Sequence, residues 1–360
     1  MALTGCLLSF PGSAAQAADE SATAGISMTP SRGTLYKEAL RPVDWRVEVE
    51  VSAPYSSPRV QPTKRVKAFF PREMKFIPGP NTAVCPESEV GPPPVNLSVP
   101  PEQVISRCPD ALIGNGSSVI RLAQANCQGC VYLEDPVLLI FNGGLNAKGQ
   151  AKLSIYGYSE FAATGLYMEG VLRNGVLDVA IPPITGDSST STFDLNIPGA
   201  DSPFPERRGV DPDYVQTTCA TGSWKGYAEF ALGSRDTLGQ ATSPEVLIRS
   251  PEFETSCIGA EGKAALGRLT VKGPSGVRKG IRNYGVVVRN TGTATARAGR
   301  LKVTGPGTSG GAVIGNLKPG ARKTVMIKIR HRRSGKLKLR FQARFNDLRP
   351  RSGYKGIKVT

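Results

Sequence analysis

The stretch that decides the fold runs from Thr324 to Phe345 and reads TVMIKIRHRRSGKLKLRFQARF. Apolar and basic residues alternate on both sides of a short, glycine-containing turn at 332–335. Alternation with a period of two is typical of a strand with one buried face, and two such runs around a short turn predict a β-hairpin. We expect the apolar side chains to point into a core and the basic ones to point to solvent. The apolar set is Val325, Ile327, Ile329, Leu337, Leu339 and Phe341.

Two further turn signals precede this stretch, Asn290-Thr291-Gly292 and the segment NLKPG at 316–320. In such turns proline sets φ and glycine supplies a positive φ. The segments VVVRNTGTATA (286–296), IGNLKPGARKTVMIKI (314–329) and GKLKLRFQA (335–343) resemble the CARDB-like, immunoglobulin-like adhesion modules of bacterial secreted and surface proteins. The resemblance implies a seven-strand sandwich over the C-terminal region. It carries no catalytic residues, and this copy differs from the usual pattern in being exceptionally basic.

Composition and charge divide the chain into two parts. At 360 residues it exceeds one typical domain, so two domains are expected. Its 41 glycines and 29 prolines favour many short strands joined by tight turns. Residues 262–360 hold 25 Lys/Arg and one acidic residue, a net charge of +24, whereas residues 1–261 carry a net charge of −8. A basic module therefore follows an acidic body.

The N-terminal residues predict export. An apolar run from Ala2 to Phe10 is followed by the small-residue site Ala15-Gln16-Ala17, which is typical of a signal peptide at residues 1–17. A lipobox ending at Cys6 is the alternative, and it is disfavoured because no room is left for an apolar segment before that cysteine. No apolar run approaches the length of about 18 residues that spans a bilayer, so we expect no transmembrane segment in the mature chain. The predicted location is secreted or associated with the cell envelope.

The fold class expected for the mature chain is all-β. Trp45, Val47, Val49 and Val51 alternate with polar residues, and further strand patterns follow as far as Ser256. We expect a large, disulfide-bonded antiparallel β-sandwich at 18–258, a linker at 259–267 and a smaller seven-strand immunoglobulin-like sandwich at 268–360. The segments FPREMKF (70–76) and YVQTTCATGSW (214–224), with Cys-Pro pairs at 85–86 and 108–109, resemble uncharacterised secreted actinobacterial proteins. That likeness implies no activity.

Six cysteines lie beyond the predicted signal peptide. An even number behind an export signal predicts disulfides, although sequence alone does not select their connectivity. We prefer a sequential pairing over a zinc site or a redox-active pair at 127–130, because export leads to an oxidising compartment and no helix follows the CQGC motif. The preferred pairs are Cys85–Cys108, Cys127–Cys130 and Cys219–Cys257.

The residues available for catalysis are few, so we expect no enzyme activity, no cofactor and no metal. The one histidine, His331, lies among arginines, which we expect to lower its pKa, and it is read as a surface turn residue. Asp211-Pro212-Asp213 is read as a turn rather than a calcium site. Tyr156, Tyr158, Phe161 and Tyr167 are read as core and rim residues rather than a platform for sugars. A secreted hydrolase with paired carboxylates in the body remains the first alternative.

The basic module carries the functional prediction. A field of this size attracts polyanions, and an exported protein meets anionic envelope polymers or lipid surfaces first. Few aromatic residues accompany the cations, so no specific nucleic-acid binding is expected. A solvated face, or a purely structural surface spacer, is the competing interpretation. The predicted polyanion-binding residues are Lys328, Arg330, Arg332, Arg333, Lys336, Lys338, Arg340 and Arg344.

Overall fold

A computed structural model of the chain describes residues 20–52, 61–92, 96–123, 131–182, 189–233, 240, 242–346 and 348–360. Strands predominate throughout, which confirms the all-β class. The strands of the body (residues 20–258) are β1 (Ser21–Pro30), β2 (Arg41–Ser52), β3 (Thr63–Phe69), β4 (Lys75–Phe76), β5 (Leu112–Ala123), β6 (Val131–Glu134), β7 (Val137–Leu145), β8 (Ala151–Ser159), β9 (Thr164–Arg173), β10 (Val176–Ala180), β11 (Ser189–Ile197), β12 (Val215–Thr217), β13 (Ser223–Leu232), β14 (Val246–Arg249) and β15 (Phe253–Ser256). Its helices are α1 (Glu87–Val90) and α2 (Pro101–Arg107). The strands of the basic module (residues 268–360) are β16 (Thr270–Lys272), β17 (Gly276–Val277), β18 (Gly280–Arg289), β19 (Ala296–Gly305), β20 (Thr308–Leu317), β21 (Arg322–His331), β22 (Gly335–Arg344) and β23 (Arg351–Val359).

The body is built from one continuous sheet whose layers pack against each other. Its strands follow the order β14-β13-β3-β10-β9-β8-β7-β5-β11-β2-β12-β4, and β1, β6 and β15 pair with β2, β5 and β13. Apolar side chains of β2 and β11 face those of β3 and β10 across the interior. Trp45 of β2 is fully buried there and meets the rings of Phe70 and Phe76 edge-on, at centroid distances of 5.2 and 5.7 Å.

A second apolar cluster covers the outside of the same sheet at β7 and β8. Leu138 and Ile140 point into the main core, whereas Leu139 and Phe141 belong to the second cluster, beneath the segment that contains α1 and α2. Because both faces of β7 are covered, its sequence Val137–Phe141 is apolar without alternation.

Two of the three expected disulfides lie within the described residues. Cys85 is bonded to Cys108, with Cα atoms 5.5 Å apart, and Cys219 is bonded to Cys257, with Cα atoms 6.0 Å apart. The first bond joins the two ends of the helical segment, just before α1 and just after α2, and the second fastens the end of the body to the loop after β12. Each bond closes a loop and lowers the conformational entropy of the unfolded chain, which stabilises the folded protein by roughly 3–4 kcal/mol. The expected pair Cys127–Cys130 and the expected signal peptide at 1–17 lie outside the described residues.

The basic module is a sandwich of two sheets. One sheet has the order β16-β18-β21 and the other the order β17-β23-β22-β19-β20, with a parallel pairing only between β17 and β23 among the described strands. The core between them contains Tyr284, Ile329, Leu339 and Phe341, all of which are fully buried.

The prediction of a hairpin at 324–345 is wrong, because its two strands do not pair with each other. The prediction of which side chains of each strand face the core is correct. β21 pairs with β18, whereas β22 pairs with β19 and β23, so the turn at 332–334 crosses from one sheet to the other. Alternation specifies which face of a strand is buried but not which strand lies beside it. All the residues expected to face inward are buried, except Leu337, which is half-buried.

His331 is a buried strand residue, so its interpretation as a surface turn residue is wrong. It ends β21 with the parity of Ile327 and Ile329, and its side chain is 1% exposed. Its Nε2 lies 3.1 Å from the hydroxyl oxygen of Tyr284. The pKa of His331 is lowered, as expected, but the larger cause is burial, and the cation that contributes is Arg282.

Loss of the second disulfide is expected to destabilise the protein. The double variant Cys219→Ser, Cys257→Ser should lower the free energy of unfolding by about 3–4 kcal/mol, because the unfolded chain regains the freedom of the open loop. Urea denaturation without reductant measures this change. Peptide mapping without reduction should show the Cys219–Cys257 link in the wild type, and free thiols or bound zinc at these cysteines would contradict the assignment.

The buried histidine predicts a pH dependence of stability. Since the folded-state pKa of His331 is lowered, the unfolded chain takes up a proton first, and the free energy of unfolding should fall as the pH drops below about 6.5. The loss is at most about 1.4 kcal/mol per pH unit for one proton. Denaturation at pH 7.5 and 5.5 measures it, and His331→Gln should flatten the profile over this interval because the chain has one histidine. An equal slope in both proteins would refute the assignment.

Candidate functional site

The structure separates the eight predicted cations into three groups. Lys336, Lys338, Arg340 and Arg344 of β22 point outward from the five-stranded sheet, on the side opposite to Leu339 and Phe341. Lys328 and Arg330 of β21 point outward from the three-stranded sheet, on the other side of the sandwich. Arg332 and Arg333 are exposed in the crossing between the sheets. The eight residues therefore do not form one surface.

Three cations that sequence reasoning missed join the β22 group. Lys358 of β23 stands opposite Lys336, and Arg300 and Lys302 of β19 stand opposite Arg344 and Gln342. Each of the three is exposed. Alternation in β19 and in the last residues of β23 indicated that these cations face solvent. The sequence did not show that β19 and β23 flank β22, which is what places them beside its cations. We call the outer surface formed by these seven cations the basic sheet face, and its members are Arg300, Lys302, Lys336, Lys338, Arg340, Arg344 and Lys358.

The basic sheet face brings like charges side by side. Lys336 lies directly opposite Lys358, and Arg300 lies directly opposite Arg344. Neighbouring strands are about 4.8 Å apart, and like charges in such cross-strand positions destabilise a sheet. The repulsion is a cost that an anion placed between the cations would relieve.

No carboxylate of the sheet itself neutralises these cations. The five strands β17, β19, β20, β22 and β23 contain no Asp or Glu. Within the described ranges, every ion pair lies between residues 32 and 261, and none involves a cation of the basic module. The charges of the basic sheet face are therefore turned to solvent.

Tyr354 lies in the middle of the basic sheet face. Its ring is 56% exposed, the Lys338 ammonium lies 4.9 Å from its centroid, and the residue stands opposite Arg340 in the register. The Arg340 Nε donates to the Ser352 hydroxyl at 3.1 Å, and the Arg344 Nε donates to the Gln342 amide oxygen at 2.9 Å. These contacts orient the two guanidinium groups along the sheet rather than leaving them fully free.

The opposite face of the sandwich has a different character. Lys328 and Arg330 stand beside Asn283 and Ile281, and the exposed side chains of Ile281 and Met326 interrupt the charge. This face also contains one like-charge pair, Arg289 opposite Arg322. The face of the three-stranded sheet can therefore be compared with the basic sheet face, because it carries cations of the same module on a surface that is partly apolar.

Several acidic residues of the body are engaged in structural contacts. Asp211 is buried and accepts hydrogen bonds from the backbone amides of Gly79 and Asp213, so the Asp211–Asp213 segment is a turn. Asp178 pairs with Arg65, and Asp194 pairs with Arg46. Among the described residues there is no group of three or more side chains that could hold a metal ion.

Lys152 is a largely buried lysine with carboxylate partners on two sides, Glu87 and Glu169. Burial alone would lower its pKa, but hydrogen bonds with Glu169 and Glu87 outweigh that effect and raise it. The ammonium group lies 2.8 Å from Glu169. A lysine whose pKa is raised stays protonated, so it cannot act as a general base at neutral pH.

The four aromatic residues considered as a sugar platform do not share an open surface. Tyr156 and Tyr158 are buried in the second core cluster, and the Tyr156 hydroxyl lies 2.7 Å from the carbonyl oxygen of Val99. Burial raises the pKa of Tyr156 to about 12. Tyr167 packs beside this cluster, and Phe161 is 86% exposed.

The body and the basic module contact each other through the connection between β1 and β2. The Glu38 carboxylate accepts a hydrogen bond from the Thr295 amide at 2.7 Å and another from the Thr295 hydroxyl. These two hydrogen bonds are the main reason that the pKa of Glu38 is lowered, and Arg297 adds a smaller attraction. Ala260, within the expected linker, forms a bridge with Tyr36.

No helix in the described part of the chain is long and apolar enough to cross a membrane.

Comparisons with known proteins supply no argument about this chain. No family model and no curated protein matches the chain. The CARDB domain of a Pyrococcus furiosus protein, described in complex with di-metal ions, is similar at 17% identity over 27% of this chain and 93% of that one, with a TM-score of 0.24. Red sea bream transglutaminase is similar at 9% identity over 93% of this chain and 31% of that one, also with a TM-score of 0.24. Neither likeness bears on function.

Proposed function

We propose that this chain is an exported, non-catalytic protein and that its basic module attaches it to an anionic polymer or surface of the cell envelope. The observation that carries the proposal is the basic sheet face. Seven cations from three adjacent strands share one surface, and the strands of that sheet contain no carboxylate. A surface of this kind favours ligands with many negative charges.

The arrangement favours a repeating anion over a single one. Cations recur about 6.8 Å apart along β22 and about 4.8 Å apart between strands, so they form a grid rather than a pocket. A polymer with regularly spaced negative charges can contact several of them together. Each contact relieves part of the repulsion between neighbours such as Lys336 and Lys358.

The rest of the chain is compatible with a location outside the cytoplasm. The disulfides Cys85–Cys108 and Cys219–Cys257 are the kind that persist in oxidising compartments. The acidic body would be repelled by the same polymer that attracts the module, so binding would orient the protein with its body away from the polymer.

Replacing cations of the basic sheet face should weaken binding to a polyanion. Full-length protein is titrated with sodium polyphosphate at low and high salt, using calorimetry or fluorescence anisotropy. We expect the variant Lys336→Ser, Lys338→Ser, Arg340→Ser, Lys358→Ser to bind at least tenfold more weakly at low salt. Its log–log salt slope should be shallower by about three, because fewer counterions are exchanged.

A matched control removes the same number of charges from the other face. The variant Lys272→Ser, Arg322→Ser, Lys328→Ser, Arg330→Ser has the same net charge and should bind nearly as the wild type does. Both variants should keep their stability to within about 0.5 kcal/mol per site, since outward positions contribute little. Absence of binding, binding without salt dependence, or equal losses in both variants would contradict the proposal. Equal losses would mean that only the total charge matters.

A further inference from the structure

A cavity lined mostly by polar residues opens on the outer surface of the body, and none of its lining residues belongs to the basic module. It lies where β5 and β11 run beside each other and is closed on one side by the loop at 201–207. Asp194 and Asn196 reach it because they alternate with the buried residues Phe193, Leu195 and Ile197 of β11. The cavity volume is about 280 Å³, just below the range of roughly 300–1,000 Å³ that holds drug-sized ligands.

An aromatic ring forms part of the cavity wall. Phe204 is 47% exposed, and the guanidinium carbon of Arg207 lies 4.2 Å from its ring centroid. Arg207 itself is 8% exposed and is held by Glu102 at 2.9 Å. Its Nε is buried and has no hydrogen-bond partner among the described residues.

The loop that presents Phe204 is fastened to the sheet. The Asn115 amide nitrogen donates to the carbonyl oxygen of Arg207 at 2.9 Å, and the Asn196 amide nitrogen donates to Asp201 at 2.7 Å. These bonds use one of the two N–H donors of each amide and one oxygen of Asp201. Three groups that line the cavity stay available to a ligand: an acceptor oxygen of Asp201, the acceptor oxygen of Asn196 and the hydroxyl of Ser117.

The charges around the cavity balance. Arg46 and Arg207 face Asp194 and Asp201, and Arg46 already engages both oxygens of Asp194. A balanced wall gives no preference for an anion or a cation. A ligand that suits it is neutral, carries several hydroxyl groups and has an apolar face to place on an aromatic ring.

We infer that this cavity binds one neutral sugar ring. A pyranose presents C–H groups on one face and hydroxyl groups at its edge. The C–H face would lie on Phe204, and the hydroxyl groups would donate to Asp201 and Asn196 and bond with the Ser117 hydroxyl. The volume accommodates one ring rather than a long chain, so the site recognises a terminal or single sugar unit. This site is independent of the basic sheet face.

The test uses full-length protein and four probes: D-glucose, D-galactose, D-mannose and N-acetyl-D-glucosamine. Saturation-transfer NMR detects binding, and calorimetric titration measures it. We expect at least one probe to bind with a dissociation constant of roughly 1–10 mM, as suits a ligand of about a dozen non-hydrogen atoms. Phe204→Ala should weaken that binding at least tenfold, and Asp201→Ala should weaken it at least fivefold.

Phe161→Ala is the matched control, because it removes an exposed phenylalanine from the same body outside the cavity. Its affinity for the sugar should stay within twofold of the wild type. If Phe204→Ala does not fold, as judged by its thermal unfolding, Asp201→Ala decides the outcome. The inference is overturned if no probe binds, if Phe161→Ala and Phe204→Ala lose binding equally, or if inorganic phosphate displaces the bound sugar.

Discussion

The burial of alternate residues along β22 is the constraint on which the basic sheet face depends. Leu339, Phe341 and Ala343 are completely buried, so the residues between them must face solvent. A shift of the strand by one residue would place Lys338 and Arg340 in the core, where an unpaired charge costs many kcal/mol. The register of β22 is therefore fixed by its apolar side chains, and the position of the cations follows from it.

The same physical rule shapes the body but with a different result. Where only the inner face of a strand is covered, as along β11, polar residues line the outside and can form the cavity near Asp194 and Asn196. At β7 the helical segment covers the outer face as well, and the residues on both faces of that strand are apolar from Val137 to Phe141. The disulfide Cys85–Cys108 joins the two ends of that cover. The chain thus carries two separate surfaces, one strongly basic and one balanced in charge.

Sequence patterns predicted the faces of strands better than their partners. Alternation identified the buried side of β21 and β22, and it also predicts an inward position for His331, which has the parity of Ile327 and Ile329. It could not show that consecutive strands enter different sheets, because this depends on packing between distant segments. Arg300, Lys302 and Lys358 were missed for that reason. The cavity left no local signal, since Arg46, Asn115 and Phe204 come together only in the folded chain.

The most direct measurement is lysine footprinting of the full-length protein with an acetylating reagent, in the presence and absence of polyphosphate at low salt. If the basic sheet face binds the polymer, acetylation of Lys302, Lys336, Lys338 and Lys358 should slow several-fold. Lys272 and Lys328, on the opposite sheet of the same module, should react at unchanged rates. Equal protection of all six lysines, or protection confined to Lys272 and Lys328, would contradict the central claim that one face of the module is the binding surface.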